Sequence, residues 1–313
     1  MENQYLLAFD VGGTYIKAGI IHIDGLVLEH TLTQYEAYSN GSVDEITEHF
    51  KAMARDLASA LIEVSGARIY GIGYAFPGPF DYERGISYIQ GLNKFEAIYG
   101  MNIGEKLRTV FQEDSVIAAS LAPNWRLAFE NDASLFALGE AVYGQASTSD
   151  RVVCMTIGTG LGSGFVDNRR LVKQRQDVPE NGWLYHLPYR DGIADNFVSR
   201  RGVLSLAAQL GFDLSDGQDV RELAQLALSG DELAVQLFEQ FGERMAQVLA
   251  ETMQRFQPDA IVIGGQIAKS GELFVPALIR GLHPYGITTN VKRSENTLLS
   301  TFRGIYHFMK TDT

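Results

Sequence analysis

One pattern occurs twice in this chain: an apolar strand-like run, a glycine turn holding a threonine, and a second strand-like run. The first copy is Phe9-Asp10-Val11-Gly12-Gly13-Thr14-Tyr15-Ile16-Lys17-Ala18-Gly19-Ile20, and the second is Thr156-Ile157-Gly158-Thr159-Gly160-Leu161-Gly162-Ser163-Gly164. Either copy alone is an ordinary hairpin, because glycine supplies the backbone freedom a tight turn needs. Two copies, each followed by helical sequence, constrain the fold further. They predict two related α/β domains with a cleft between them. Neither copy is a P-loop, since no G-x-x-x-x-G-K-[ST] is present. The alternating glycines of the second copy lead into a strand, not a helix, so it is not a dinucleotide fingerprint either.

The rest of the chain fits an α/β order. Strands are predicted at about 5–10, 15–23 and 26–33, split at Gly12-Gly13 and at Asp24-Gly25. Residues 44–64 carry apolar positions at helical spacing. A strand at 67–76 ends in the loop Pro77-Gly78-Pro79, and 80–88 reads as a short hairpin. A strand at 126–131 runs into a helix at 132–144, capped by Asp132 or its neighbour and stopped by Gly144. Helices dominate 197–257, including 231–256, and 259–265 is a buried strand ending in paired glycines. The expected domains are 1–120, joined by a C-terminal helix at 300–313, and a larger one at 121–299, with residues 115–126 as a crossing point.

Composition narrows the class. With 46% hydrophobic and 20% charged residues over 313 positions, the chain can bury a large core. Its formal net charge of −12 opposes nonspecific binding to nucleic acid or an anionic membrane, which needs Lys and Arg to neutralise phosphates. A single cysteine, Cys154, builds neither a disulfide framework nor a cysteine-rich zinc site and fits a reducing cytoplasm. The N-terminus has no basic segment ahead of its short apolar run, and no run reaches membrane-spanning length.

Four motifs sit at strand ends. In Asp10-Val11-Gly12-Gly13-Thr14, glycines let backbone N–H groups approach phosphate oxygens and Thr14 adds a hydroxyl. Asp10 is placed to hold Mg²⁺ through water, because this ion prefers oxygen ligands and keeps several waters. The turn at Gly158, Thr159, Gly160 and Gly162 makes a second phosphate clamp with the first. Glu130-Asn131-Asp132 offers more polar groups than a helix cap requires, and a carboxylate there could take a proton from a hydroxyl. Gly264 and Gly265, after an apolar strand, permit close backbone approach to a flat ligand such as adenine.

In this order the motifs resemble the ROK family (repressors, unknown reading frames and sugar kinases), within the actin-like, sugar-kinase-like ATPase fold. The resemblance covers nearly the whole chain and rests on DVGGT, FPGPFD, FENDASLFALGE, TIGTGLGSGFV, HLPYRDGIADNFVSRRG and IVIGG. It implies two ribonuclease-H-like domains and in-line transfer of phosphoryl from ATP, with Mg²⁺, to a sugar hydroxyl, usually the 6-OH of a hexose. The family's phosphate loops fall on Asp10, Gly12, Gly13 and Thr14 and on Gly158, Thr159, Gly160 and Gly162, and its adenosine-side glycines on Gly264 and Gly265. Its general base falls on Asp132. Its sugar ligands fall on Gly78, Asn93, Asn131, Asp132, His186 and Asp195, where aspartate replaces the usual glutamate. The family often forms dimers, so a homodimer is expected.

The chain departs from the family in three places. Many members hold zinc through a histidine and three cysteines; here Cys154 lies alone in an apolar strand, so no structural zinc is expected and His186 is free for sugar. The family's Glu-x-Gly-His becomes Trp183-Leu184-Tyr185-His186. Loss of that acceptor should change discrimination near the anomeric carbon, while an indole offers an apolar face for a sugar ring or aglycone. Trp183 could instead only pack the core. The third departure is mild: Gln266 stands where a third glycine is common, and Tyr15 where lysine is. Family repressors carry a helix-turn-helix ahead of the first loop, and a loop at residue 10 leaves no room for one. A sugar sensor that keeps the fold without catalysis is the alternative to a kinase; it should show a lost base or a broken loop.

Overall fold

Five consecutive residues, Tyr5 to Phe9, are buried on both faces of β1 (Gln4–Val11), the strand at the middle of the first sheet. A strand covered on both sides reads as a continuous apolar run, not an alternation. The structure is a computed structural model that describes residues 3–214 and 217–311. It divides into two units, Met1–Leu135 with Thr301–Thr313, and Phe136–Ser300.

In the first unit β2 (Tyr15–His22) turns back antiparallel on β1, placing Lys17 opposite Asp10. Next come β3 (Thr33–Glu36), α1 (Val43–Ser59), β4 (Arg68–Phe76) and a short hairpin of β5 (Phe80–Asp81) and β6 (Ile86–Ser87). Then follow α2 (Ile103–Glu113), α3 (Ser115–Ser120), β7 (Leu121–Asn131) and the start of α4 (Asp132–Tyr143), which from Phe136 on belongs to the second unit. The sheet order is β3-β2-β1-β4-β7, with β4 parallel to both β1 and β7. That register puts Asp10 level with Ala75, and Ala75 level with Glu130, so Asp10 and the Glu130-Asn131-Asp132 run share one end of the sheet. α1 begins at a capping box: the Ser42 hydroxyl accepts from Glu45 N, and Ser42 N donates to the Glu45 carboxylate.

The second unit repeats the plan. It contains β8 (Arg151–Ile157), β9 (Leu161–Asp167), β10 (Arg170–Leu171), the hairpin β11 (Pro188–Tyr189) and β12 (Gly192–Ile193), and α5 (Ala194–Phe197). After these come α6 (Arg200–Leu210), α7 (Val220–Leu228), α8 (Glu232–Phe256), β13 (Ala260–Gly264), α9 (Gly271–Leu282), β14 (Asn290–Arg293) and α10 (Thr297–Thr311). Its sheet order is β10-β9-β8-β13-β14. As in the first unit, an antiparallel pair joined by a glycine turn lies beside two further parallel strands. α8, α9 and the sheet bury a core that includes Phe165, Phe238, Phe241, Phe256 and Phe274. The C-terminal part of α10 belongs to the first unit, where Tyr306 donates to Ile23 O and Arg126 to Met309 O.

Three expectations need correction. The third strand is not at 26–33: Val27 makes only an isolated bridge to Ile21, and 29–31 is a 3-10 turn before β3. The Thr31 hydroxyl causes the interruption by donating to Leu28 O and accepting from Ile20 N, in place of a ladder bond. The helix expected to 64 stops at Ser59 and is followed by turns ending at Gly66, whose φ is +74°. Residues 115–126 are not a crossing point. Asp114 caps α3 through Val116 N and Ile117 N, and the chain then enters β7. Between Leu121 and Arg126 the register shifts around Pro123, which has no N–H for the ladder. The first unit therefore runs to Leu135 rather than 120, because β7 belongs to its sheet.

The first core is built on a ring stack, Phe9–Tyr74 at 4.8 Å and Tyr74–Phe129 at 5.1 Å. The Tyr74 hydroxyl within it is buried and has no hydrogen-bond partner among the described residues. A buried donor left unmade costs ~1–3 kcal/mol, so Tyr74→Phe should raise stability by about 1 kcal/mol. Denaturant titration of the two proteins measures the difference; a loss of stability would mean that the hydroxyl is bonded in solution.

Candidate functional site

In the first unit the predicted positions gather at one end of the sheet. The glycine turn between β1 and β2 closes with Gly12 N donating to Tyr15 O at 3.0 Å. Thr14 is exposed at its tip. The Lys94 stem lies close over Gly13: a Cβ there would lie 3.0 Å from the Lys94 Cδ and would press the stem aside. Asn93, next to Lys94, sits at φ +52° and its N–H donates to a Glu96 carboxylate oxygen at 2.9 Å. Tyr82 links two further positions. Its hydroxyl lies 3.1 Å from where a Cβ of Gly78 would be, donates to Phe76 O, and accepts from the Asn131 side-chain amide at 3.3 Å.

The Glu130-Asn131-Asp132 run divides its roles. Glu130 is buried and accepts from Asn131 N at 2.7 Å. Asn131 caps α4 by accepting from Ser134 N at 3.1 Å. Asp132, the first residue of α4, accepts from Ala133 N at 2.9 Å. Burial raises the Asp132 carboxyl above its usual range, opposed by the Ala133 N–H and by the Lys94 charge. Asp10 is pushed up to about 6, first by burial and then by the Asp132 carboxyl, against the lowering effect of Lys17. Protein atoms ring both carboxyl groups, although solvent still reaches part of each residue. Two desolvated, mutually repelling carboxyls beside a glycine turn fit a hard divalent cation with oxygen ligands. Among the described residues no group of three or more His, Cys, Asp or Glu side chains is arranged to hold a metal.

The second unit gathers its own set. Gly158 N donates to Gly160 O at 3.0 Å, and Thr159 is exposed at the tip. Gly162 lies just beyond on β9. Gly265, at φ +89°, lies against the last residue of β8: a Cβ there would sit 2.5 Å from Ile157 O, so only glycine fits, and Gly264 beside it packs against Phe136. Asp195 is drawn to the turn, one carboxylate oxygen accepting from Leu161 N at 2.6 Å. The other oxygen pairs with Arg201. Asp195 N donates to Tyr185 O, which brings the aromatic segment alongside. There Trp183 and Tyr185 have ring centres 5.9 Å apart, and Tyr185 and His186 5.1 Å. Trp183 is half-buried, not enclosed in the core. The buried Ser163 hydroxyl fixes this segment by donating to Gly182 O and accepting from Leu184 N. Cys154 is buried in β8, and burial holds its thiol well above the usual range.

Comparison with known proteins now bears on these two sets of groups. The ROK family model matches residues 6–295. The chain belongs to the ROK family. A glucokinase of Thermotoga maritima is 26% identical over 293 residues, covering 87% of this chain and 85% of that protein. A xylose repressor of Caldicellulosiruptor bescii is 22% identical, covering 87% of this chain and 68% of the repressor. The crystal structure of a ROK glucokinase from Streptomyces griseus, in complex with glucose and AMPPNP, superposes with a TM-score of 0.70 at 20% identity, covering 96% of this chain and 98% of that one. The fold is that of the actin-like ATPases to which ROK sugar kinases belong.

As a ROK protein the chain carries several residues at these positions that motif reading does not reach. Lys94, Tyr82 and Arg201 each touch a predicted residue across the fold, and Ser163 holds the residues on either side of Trp183. The signals that could have raised them are adjacency for Lys94, beside Asn93, and the run Ser199-Arg200-Arg201 after Asp195.

The raised carboxyl of Asp10 makes a stability prediction for the ligand-free protein. Its proton is held in the folded state up to about 6, but its ordinary value is 3.8. The folded state thus binds more protons between those values, and stability falls as pH rises through that window. Asp10→Asn removes the effect. Without metal or nucleotide it should be more stable than wild type at pH 8 by up to ~3 kcal/mol, with no advantage below about pH 4. Denaturation at both pH values checks this; an advantage independent of pH would refute it.

Proposed function

We propose that this protein is an ATP-dependent sugar kinase that transfers the γ-phosphoryl group to a hydroxyl of a hexose or hexose derivative, the 6-OH, with Asp132 as general base. One observation carries the reading: a buried carboxyl at the first residue of α4, raised above its usual range, beside Asp10 and the first glycine turn. A base works best when its pKa lies near the working pH. The backbone of the glycine turn and Thr14 would receive phosphate oxygens. Asp10 would hold Mg²⁺, through water, and the bound ion would neutralise charge on the phosphates. Asp132 would accept the hydroxyl proton as the acceptor oxygen attacks phosphorus. Asn131, held by Tyr82, would orient the sugar beside it. In the second unit, the turn at Gly158–Gly162 and the pair Gly264-Gly265 would receive nucleotide, and His186 a sugar hydroxyl. Glucokinases among the relatives support this reading.

The acceptor is narrowed by the second unit. Trp183 replaces a carboxylate acceptor with an indole, and Asp195 already has both oxygens engaged. A hexose presented through free hydroxyls near the anomeric carbon finds fewer open acceptors than usual. The reading favours another hexose, an amino sugar or a glycoside substituted at O1.

A non-catalytic sugar sensor is the second reading, favoured by the Asp195–Arg201 pair and by the repressor among the relatives. The two separate in a coupled ADP-release assay with MgATP across glucose, fructose, mannose, N-acetylglucosamine, N-acetylmannosamine, allose and β-glucosides. One sugar should turn over, and Asp132→Asn should lose ~10²–10⁴ in kcat while binding ATP normally. Turnover within a few-fold of wild type would remove Asp132 as the base. Silence on every sugar with ATP still bound would favour the sensor.

A further inference from the structure

The loop that carries Lys94 is built with unusual backbone and fastened directly to the first glycine turn. Asn93 and Phe95 flank it at φ +52° and +53°, a left-handed conformation that costs free energy in residues other than glycine. Phe95 is fully buried, packed on Phe76 and Phe50, and its N–H donates to Ser39 O at 2.6 Å. The Ser39 hydroxyl in turn donates to Gly13 O at 2.6 Å. Lys94 therefore cannot drift relative to the glycine turn: two hydrogen bonds and a buried ring tie the two loops together. Its aliphatic stem lies over Gly13, and the ammonium is carried one methylene beyond Cδ.

The charge of this lysine is felt by the Asp132 carboxyl, whose pKa it lowers. Among the described residues Lys94 makes no ion pair and no hydrogen bond through its side chain, whereas Lys17, the other lysine at this end of the sheet, lies opposite Asp10. Left-handed backbone that persists on both sides of one lysine, with the lysine stem over the glycine turn, points to a ligand that this charge serves. The neighbouring groups indicate that ligand. The glycine turn lies on one side of the lysine, and its charge reaches the Asp132 carboxyl on the other; an anion that needs both a cation and a proton acceptor beside it is a transferring phosphoryl group.

We infer that Lys94 is a catalytic residue that contacts the phosphoryl group in flight, above the first glycine turn. The inference rests on the kinase reading of the same site. In the step, the acceptor hydroxyl oxygen forms a bond to the γ-phosphorus, the bond from that phosphorus to the ADP oxygen breaks, and the hydroxyl proton passes to Asp132. Negative charge on the equatorial oxygens is what Lys94 balances, since neither glycine turn contains the lysine that a P-loop supplies.

The test compares wild type, Lys94→Met and Lys94→Arg. Lys94→Met should lose about 100-fold in kcat, with sugar KM changed less than threefold, and Lys94→Arg should recover at least a tenth of wild-type kcat. Independently of turnover, Lys94→Met should weaken binding of a non-hydrolysable ATP analogue at least tenfold and of ADP less than twofold, because only the former has a γ-phosphoryl group. The inference is overturned if kcat stays within threefold of wild type, or if analogue and ADP weaken alike. If wild type phosphorylates no sugar, the kinase reading falls, and the contact with the γ-phosphoryl group is still decided by the analogue-against-ADP comparison. Should Lys94→Met fail to fold, Lys94→Gln serves in the same two measurements with the same expected losses.

Discussion

Two carboxyl groups, Asp10 and Asp132, are held at the same end of one sheet with too little solvent to screen them. Most of what surrounds them answers that repulsion. The register of β1 with β4 and β7 sets Asp10 level with Glu130 near the end of the sheet. Lys17 stands opposite Asp10 on β2, and the charge of Lys94 reaches Asp132. The arrangement is unfavourable in the empty protein, and a fold tolerates such a cost where binding repays it. A site that binds a cation and polyphosphate gains from the same two charges that weaken the unliganded state.

Those charges were legible in the sequence because they sit on chain-local signals. Asp10 follows an apolar strand and precedes a glycine turn; Asn131 and Asp132 fall at a strand-to-helix junction. The repeat of strand, glycine turn and strand also announced two units of related plan. The groups that position these residues were not legible, because they act between distant segments. Ser39 reaches Gly13 across 26 residues, and Tyr82 reaches Asn131 across 49. A threonine hydroxyl likewise broke the expected third strand by taking over a ladder bond, which β propensity alone does not reveal. The bulge at Pro123 turned an apparent linker into the start of β7.

In the second unit the same kind of distant contact changes the meaning of a predicted residue. Asp195 is an acidic sugar ligand by resemblance, yet its carboxylate is bound by Leu161 N and Arg201. Arg201 is largely exposed, so its hold on Asp195 is weaker than that of the backbone N–H, which is fixed by the turn itself. A sugar hydroxyl could replace the guanidinium but not the amide. On the proposed reading, an indole at Trp183 instead of a second carboxylate would give this unit more ring surface and fewer charges toward a sugar than the family pattern.

Both units build their turns from a strand hairpin rather than from a strand-to-helix loop, and this has an electrostatic consequence. A hairpin turn offers N–H groups but neither a helix dipole nor the lysine of a P-loop. Beyond Lys17, which stands opposite Asp10 on the strand, positive charge must come from outside the motif. In the second unit the nearby guanidinium is already paired with Asp195. In the first unit the loop at Asn93–Phe95 brings in Lys94, whose charge reaches Asp132, at the expense of two left-handed residues. Two left-handed residues that carry the Lys94 stem over Gly13, with its charge reaching the Asp132 carboxyl, supply through tertiary structure a positive charge that the turn itself lacks.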